Sequence, residues 1–130
     1  MVNRKFQLLM GEFAQLAKGN MLKLDNNQSL VCHYQQQNFH LEDGERIGLS
    51  QQLVILAPFA KKITAKQKQK LNGDFALTKD GYLCEIAQLG SCYVVHLALP
   101  EHPQQLFQQL DELVKRMKKL NSEINDHVAA

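Results

Sequence analysis

The sequence predicts an α+β fold: an antiparallel twisted sheet of about six strands, with an N-terminal and a C-terminal helix packed on one of its faces. Three observations predict it. Apolar residues recur at helical spacing at both ends of the chain; they recur every second residue between those ends; and turn pairs, Asp-Gly and Gly-Ser, divide the alternating part. The expected order is α-β-β-β-α-β-β-β-α in a single domain, residues 1–130, with 126–130 fraying.

Phe6, Leu9, Phe13 and Leu16 fall on one helical face, and Met10 and Ala17 widen the stripe, so 4–18 reads as an amphipathic helix stopped at Gly19-Asn20. From Leu30 the period is two. Leu30, Cys32 and Tyr34, then Phe39 and Leu41, alternate around a tight turn at Gln36-Gln37, which sets Tyr34 opposite Phe39, Cys32 opposite Leu41 and His33 opposite His40. After Asp43-Gly44 a third strand runs from Ile47 to Ala57. Its end, Leu53 to Leu56, is apolar on both faces, so both must be covered. Pro58 ends it, and the Lys-rich segment from Phe59 to Leu71 reads as a weak helix.

Asp80-Gly81 and Gly90-Ser91 are good two-residue turns, and they predict a meander of Phe75–Lys79, Tyr82–Leu89 and Cys92–Leu99. In that register Gln88 faces Tyr93, Ile86 faces Val95 and Cys84 faces Leu97. The reverse face carries Leu83, Ala87, Leu89, Val94 and Ala98, with Glu85 opposite His96. This is too apolar for a solvated face, so the middle segment, a second copy of the protein or both are expected to cover it, and a second copy would place Leu83, Glu85, Ala87, Val94 and His96 in the dimer interface. Pro103 then opens a long helix whose stripe is Leu106, Leu110, Leu113, Met117, Leu120 and Ile124, broadened by Phe107 and Val114.

Composition narrows the function. With 130 residues, 45% of them apolar and 22% charged, the chain is expected to be a soluble globular domain. No apolar run is long enough for a membrane helix and Met1–Lys5 begins no signal peptide, so the cytoplasm is the expected location and no membrane insertion is expected. Cys32, Cys84 and Cys92 make neither a disulfide framework nor a zinc ribbon. Cys92 with His96 would lie about 13 Å apart along a strand, and the neighbours Cys32 and His33 point to opposite faces, so no metal site is expected. Cys84 and Cys92 are expected on opposite faces.

Glu85 beside His96 could charge a general base, but no nucleophile or catalytic motif accompanies the pair. No catalytic residue, no cofactor and no enzyme activity are expected. His33 and His40 read as a wet cross-strand pair. Lys61, Lys62, Lys66, Lys68 and Lys70, with Lys115, Arg116, Lys118 and Lys119, could follow a phosphate backbone, and the rival reading is a small basic nucleic-acid-associated regulator. A net charge of only +2 and no nucleic-acid motif make these a solvated face instead.

Four stretches carry a resemblance: Phe6-Gln7-Leu8-Leu9, Leu71-Asn72-Gly73-Asp74-Phe75-Ala76-Leu77, Asp80-Gly81-Tyr82-Leu83, and Leu106-Phe107-Gln108-Gln109-Leu110. With the order of elements, they make the chain resemble the CesT/SycE-type (class I) type III secretion chaperones, small cytoplasmic proteins of bacteria. The resemblance implies a homodimer built from the short middle helix and the meander. It also implies binding of the extended N-terminal segment of a secreted effector, kept export-competent, and hence a place in virulence. On that reading the effector-binding residues are expected at the first helix and first hairpin: Phe6, Leu9, Phe13, Leu30, Tyr34 and Phe39.

Overall fold

The computed structural model describes residues 4–16, 22–24 and 30–129. Its elements are α1 (Arg4–Leu16), β1 (Leu22–Leu24), β2 (Leu30–Tyr34), β3 (Gln37–Asp43), β4 (Gln52–Pro58), α2 (Ala65–Asn72), α3 (Phe75–Thr78), β5 (Gly81–Ile86), β6 (Gly90–Ala98) and α4 (Pro103–Ala129). The strands form one antiparallel sheet in the order β1-β2-β3-β4-β6-β5. Both long helices pack on one face of it. Phe6, Leu9, Met10 and Phe13 of α1 and the whole apolar stripe of α4 are buried with Leu30, Cys32, Phe39, Leu41, Leu53, Ile55, Tyr93 and Val95 of the sheet. The α+β class and the placement of the helices are as the sequence predicts.

Three local readings are corrected. Phe75–Thr78 is one turn of helix, not a strand, because the Asp74 carboxylate accepts a hydrogen bond from Ala76 N–H and starts a helical turn. Phe75 consequently stands 76% exposed instead of facing a core. A sixth strand lies elsewhere, at Leu22–Leu24 paired with β2. The expected stop at Gly19-Asn20 falls outside the described residues. The third strand begins at Gln52, not Ile47, since Gly44–Ile47 is a 3-10 turn in which the Glu45 N–H donates to the Asp43 carboxylate.

The first hairpin turns at Gln35-Gln36, whose φ angles of +48° and +67° give the left-handed pair that a twisted two-residue hairpin needs. Cys32 therefore pairs with Phe39 and Leu30 with Leu41. This register differs from the expected one by two residues, so the same side chains still face the core. The second hairpin is another matter. Its loop is three residues, Ala87–Leu89, closed by Leu89 N–H donating to Ile86 C=O at 3.1 Å, with Gln88 and Gly90 at φ +72° and +84°. Leu83 then pairs with Tyr93, Cys84 with Cys92 and Glu85 with Ser91. The expected register is off by an odd number of residues, which exchanges the two faces of β5.

Asp80-Gly81 makes no hairpin. Gly81 opens β5 because the Tyr93 ring lies against it: a Cβ there would meet Tyr93 Cζ at 2.5 Å. The Tyr93 hydroxyl donates to Thr78 C=O at 2.5 Å and accepts from Arg116 Nη1 at 3.3 Å, which ties α3, the sheet and α4 together beneath this glycine.

The middle segment is helical over Ala65–Asn72, started by a capping box in which Thr64 and Gln67 satisfy each other's N–H groups. Its last residue guards the sheet edge: Asn72 Oδ1 accepts from Leu83 N–H at 2.7 Å and Asn72 Nδ2 donates to Leu83 C=O at 2.9 Å. Edge main-chain groups that would invite another strand are thus occupied from within the chain.

Candidate docking face

The sheet face away from the long helices has two halves. On β2 and β3 it carries Val31, His33, Asn38, His40 and Glu42, mostly polar. On β4, β6 and β5 it carries an apolar cluster of Val54, Leu56, Cys92 and Val94, joined by Leu49, Cys84, Ile86 and Leu89. Among the described residues no helix residue belongs to this cluster. Neighbouring side chains shield its centre, yet large apolar groups stand out at its border: Ile47 is 63% exposed and Tyr82 40%. A cavity of about 200 Å3 opens there, floored by Val54, Leu56, Ile86 and Val94 and rimmed by Glu42, Asp43, Tyr82 and His96. The Tyr82 hydroxyl and His96 Nε2 are 2.8 Å apart, with the rings edge to face. Burial holds the Tyr82 phenol above its usual range.

This face shares only part of the dimer interface read from the sequence. Val94 and His96 lie on it, whereas Leu83 points the other way and is buried in the main core. Ala87 is exposed in the β5–β6 loop. Glu85 also leaves this face. Its carboxylate accepts from Lys68 Nζ at 2.7 Å and from the Ser91 hydroxyl at 2.9 Å, so it is no partner of His96. The Lys68 ammonium, and after it the Ser91 hydroxyl, hold the Glu85 carboxyl below the usual carboxylate range. A general base oriented by Glu85 is therefore not assembled.

Of the six residues expected to bind an effector, five are in the interior and Tyr34 is half-buried. Phe6, Leu9, Phe13, Leu30 and Phe39 are all buried under α1 and α4. Tyr34 is half-buried beside Phe107, and its hydroxyl donates to Asp111 Oδ1 at 2.6 Å, which holds the phenol proton in place and raises its pKa. In the single chain these side chains hold the helices to the sheet. What α1 leaves outside is Leu8, 63% exposed, and Leu16, 51% exposed. His33 Nδ1 lies 2.7 Å from Asn38 Oδ1, so the first hairpin places Asn38, not His40, beside His33.

Cys84 and Cys92 correct another expectation, for they face each other directly across β5 and β6. All three cysteines are free thiols, and burial pushes Cys32 and Cys92 up to about 11 and raises Cys84 as well. They are poor nucleophiles and poor ligands at neutral pH. Among the described residues no group of three or more His, Cys, Asp or Glu side chains could hold a metal ion, and no helix is long and apolar enough to cross a membrane.

Sequence reasoning missed Tyr82, Cys84, Ile86 and Ile47 as members of the open face. Val54 and Leu56 were legible from the doubly apolar strand, but the β5 residues were hidden by the three-residue loop. No family model, no curated protein and no solved structure matches the chain.

Proposed function

We propose that this chain is a non-enzymatic polypeptide-binding protein, a type III secretion chaperone that holds the N-terminal segment of a secreted effector extended and export-competent in the bacterial cytoplasm. One observation carries the reading: half of a sheet face is apolar and has no helix over it, in a chain whose other face already holds a complete core. Apolar surface of this kind is most often hidden by another chain. A second copy seats on it, through Val94, His96, Tyr82 and Ile86, and the client uses apolar side chains outside the core, Leu8 and Leu16 among them. The polar, capped α2 lies beside this half of the sheet and contributes its lysines to the rim of the assembly.

Co-purification from a bacterial host carrying a type III system, followed by native mass measurement, tests the proposal. The expected result is two copies of this chain with one secreted polypeptide. A lone chain that retains no exported polypeptide overturns it. Binding to an arbitrary DNA duplex that falls steeply with salt favours the basic regulator instead.

A further inference from the structure

The two neighbours at the outer end of the sheet differ in length. β5 ends at Gly81, opposite Val95, while β6 runs on to Ala98. Among the described residues nothing pairs with β6 beyond Val95 on that side, whereas β4 accompanies it on the other side as far as Ala98. The direction of the main-chain groups follows from the bonds flanking the strand. Phe59 N–H donates to Ser91 C=O, and Leu99 N–H donates to Gln51 C=O, both at 2.9 Å, so odd-numbered residues of this stretch turn their groups toward β4. The N–H and C=O of His96 and Ala98 therefore point outward over the missing length of β5. On β5 itself, Asn72 holds both main-chain groups of Leu83, the middle outward-facing residue of that strand.

Beside this overhang lies a cavity of about 410 Å3, lined by Leu97, Leu99, Pro100, Gln105, Gln108 and Gln109. The side chains that meet there are aliphatic or neutral amides, together with the exposed Glu101, the one charged member of the lining. On the opposite face the overhang borders the Tyr82–His96 pair. A strand laid against His96 and Ala98 would send alternate side chains to these two places.

We infer that the β6 overhang is a strand-addition site, which takes an extended segment of another polypeptide whose side chain at the cavity carries no negative charge. Main-chain bonds to His96 and Ala98 supply the attachment, and the glutamine-lined cavity receives a neutral side chain. This inference rests on the polypeptide-binding reading and names where the extended segment lies.

The probe is the blocked peptide acetyl-Thr-Val-Thr-Leu-Thr-Val-amide, titrated into isotope-labelled protein and followed through its amide resonances and hydrogen exchange. The expected result is shifted and protected amides at His96 and Ala98. Methylation of alternate peptide nitrogens abolishes the effect. The Ala98→Pro variant removes a donor that the β4 ladder does not use, so the fold persists, and it binds about tenfold more weakly. Gln108→Trp, which fills the cavity, weakens binding too without touching the main chain. Undiminished binding to Ala98→Pro, no binding, or shifts confined to Val54 and Ile86 overturns the inference. So does protection of His96 and Ala98 that depends on protein concentration alone, which would give the edge to a second copy. Co-purification separates the two claims: an Ala98→Pro chain that retains a secreted partner leaves the polypeptide-binding reading standing and ends this one.

Discussion

Leu53, Ile55 and Ala57 of β4 point into a core closed by two helices, while Val54 and Leu56, one residue away along the same strand, point to a face that no helix covers. The two faces share strands, hydrogen bonds and twist, and they differ in what they do for the single chain. On the helix side each large side chain meets others from α1, α4 and the sheet, so its removal leaves a hole. On the open side the apolar groups are shielded chiefly by one another and by a border of exposed side chains. Burial within one chain and employment by that chain are therefore separate properties: the first face holds the fold together, and the second is the one the proposed association would use.

The largest effect expected of any substitution breaks the first face. Phe39, fully buried in the helix-side core, leaves a cavity when it is truncated, and Phe39→Ala should cost about 3–5 kcal/mol of unfolding free energy in a urea titration. A cost below about 1 kcal/mol would mean that the helices do not close on this face. Next comes Gly81→Ala, which drives a methyl into the Tyr93 ring and should cost about 1–3 kcal/mol while loosening the start of β5. Ile86→Lys sharpens the comparison from the other side. Ile86 is half-buried on the open face, so the monomer should lose only roughly 1 kcal/mol, whereas the proposed dimer, measured by sedimentation, should be lost. If the dimer survives a lysine there, the second copy sits elsewhere.

How much of this could be read from the residues depends on what set the register. The stripes of α1 and α4 were legible because Phe6, Leu9 and Phe13, and Leu106 through Ile124, repeat at a period that only one structure satisfies. The first hairpin survived an error in its turn, since a slip of two residues keeps Cys32, Phe39 and Leu41 on the same side. The second hairpin did not. Gly90-Ser91 looks like a two-residue turn, but the left-handed residues are Gln88 and Gly90, and no local rule marks a glutamine for that conformation. One odd slip carried Leu83 and Glu85 to the wrong face and with them the supposed Glu85–His96 pair. The short helix at Phe75 was hidden for a related reason: Asp74 as a helix start and Phe75-Ala76-Leu77 as a strand are both good local readings, and the Tyr93 hydroxyl that grips Thr78 is remote in sequence.

The smallest expected effect concerns the border between the two faces, and it decides whether Lys68 joins α2 to β5 beside the Asn72 contact. Glu85 is joined to Lys68 of α2 and to Ser91, whose hydroxyl also accepts Ile63 N–H at 3.1 Å just before that helix. Its carboxyl is held below the usual range in the folded chain, so the unfolded chain binds the proton more readily. The contribution to stability is therefore fully present above the ordinary glutamate pKa, about 4.3, and is lost as the pH falls through the lower folded value. Because the pair is open to water, the effect is small and salt-sensitive. Urea midpoints of the parent chain and of Glu85→Gln, compared across pH, isolate it from the other carboxylates. The parent should be the more stable near neutrality, and the difference should close below about pH 4. A difference that is flat with pH would mean that Lys68 does not hold Glu85, leaving Asn72 to tie α2 to β5.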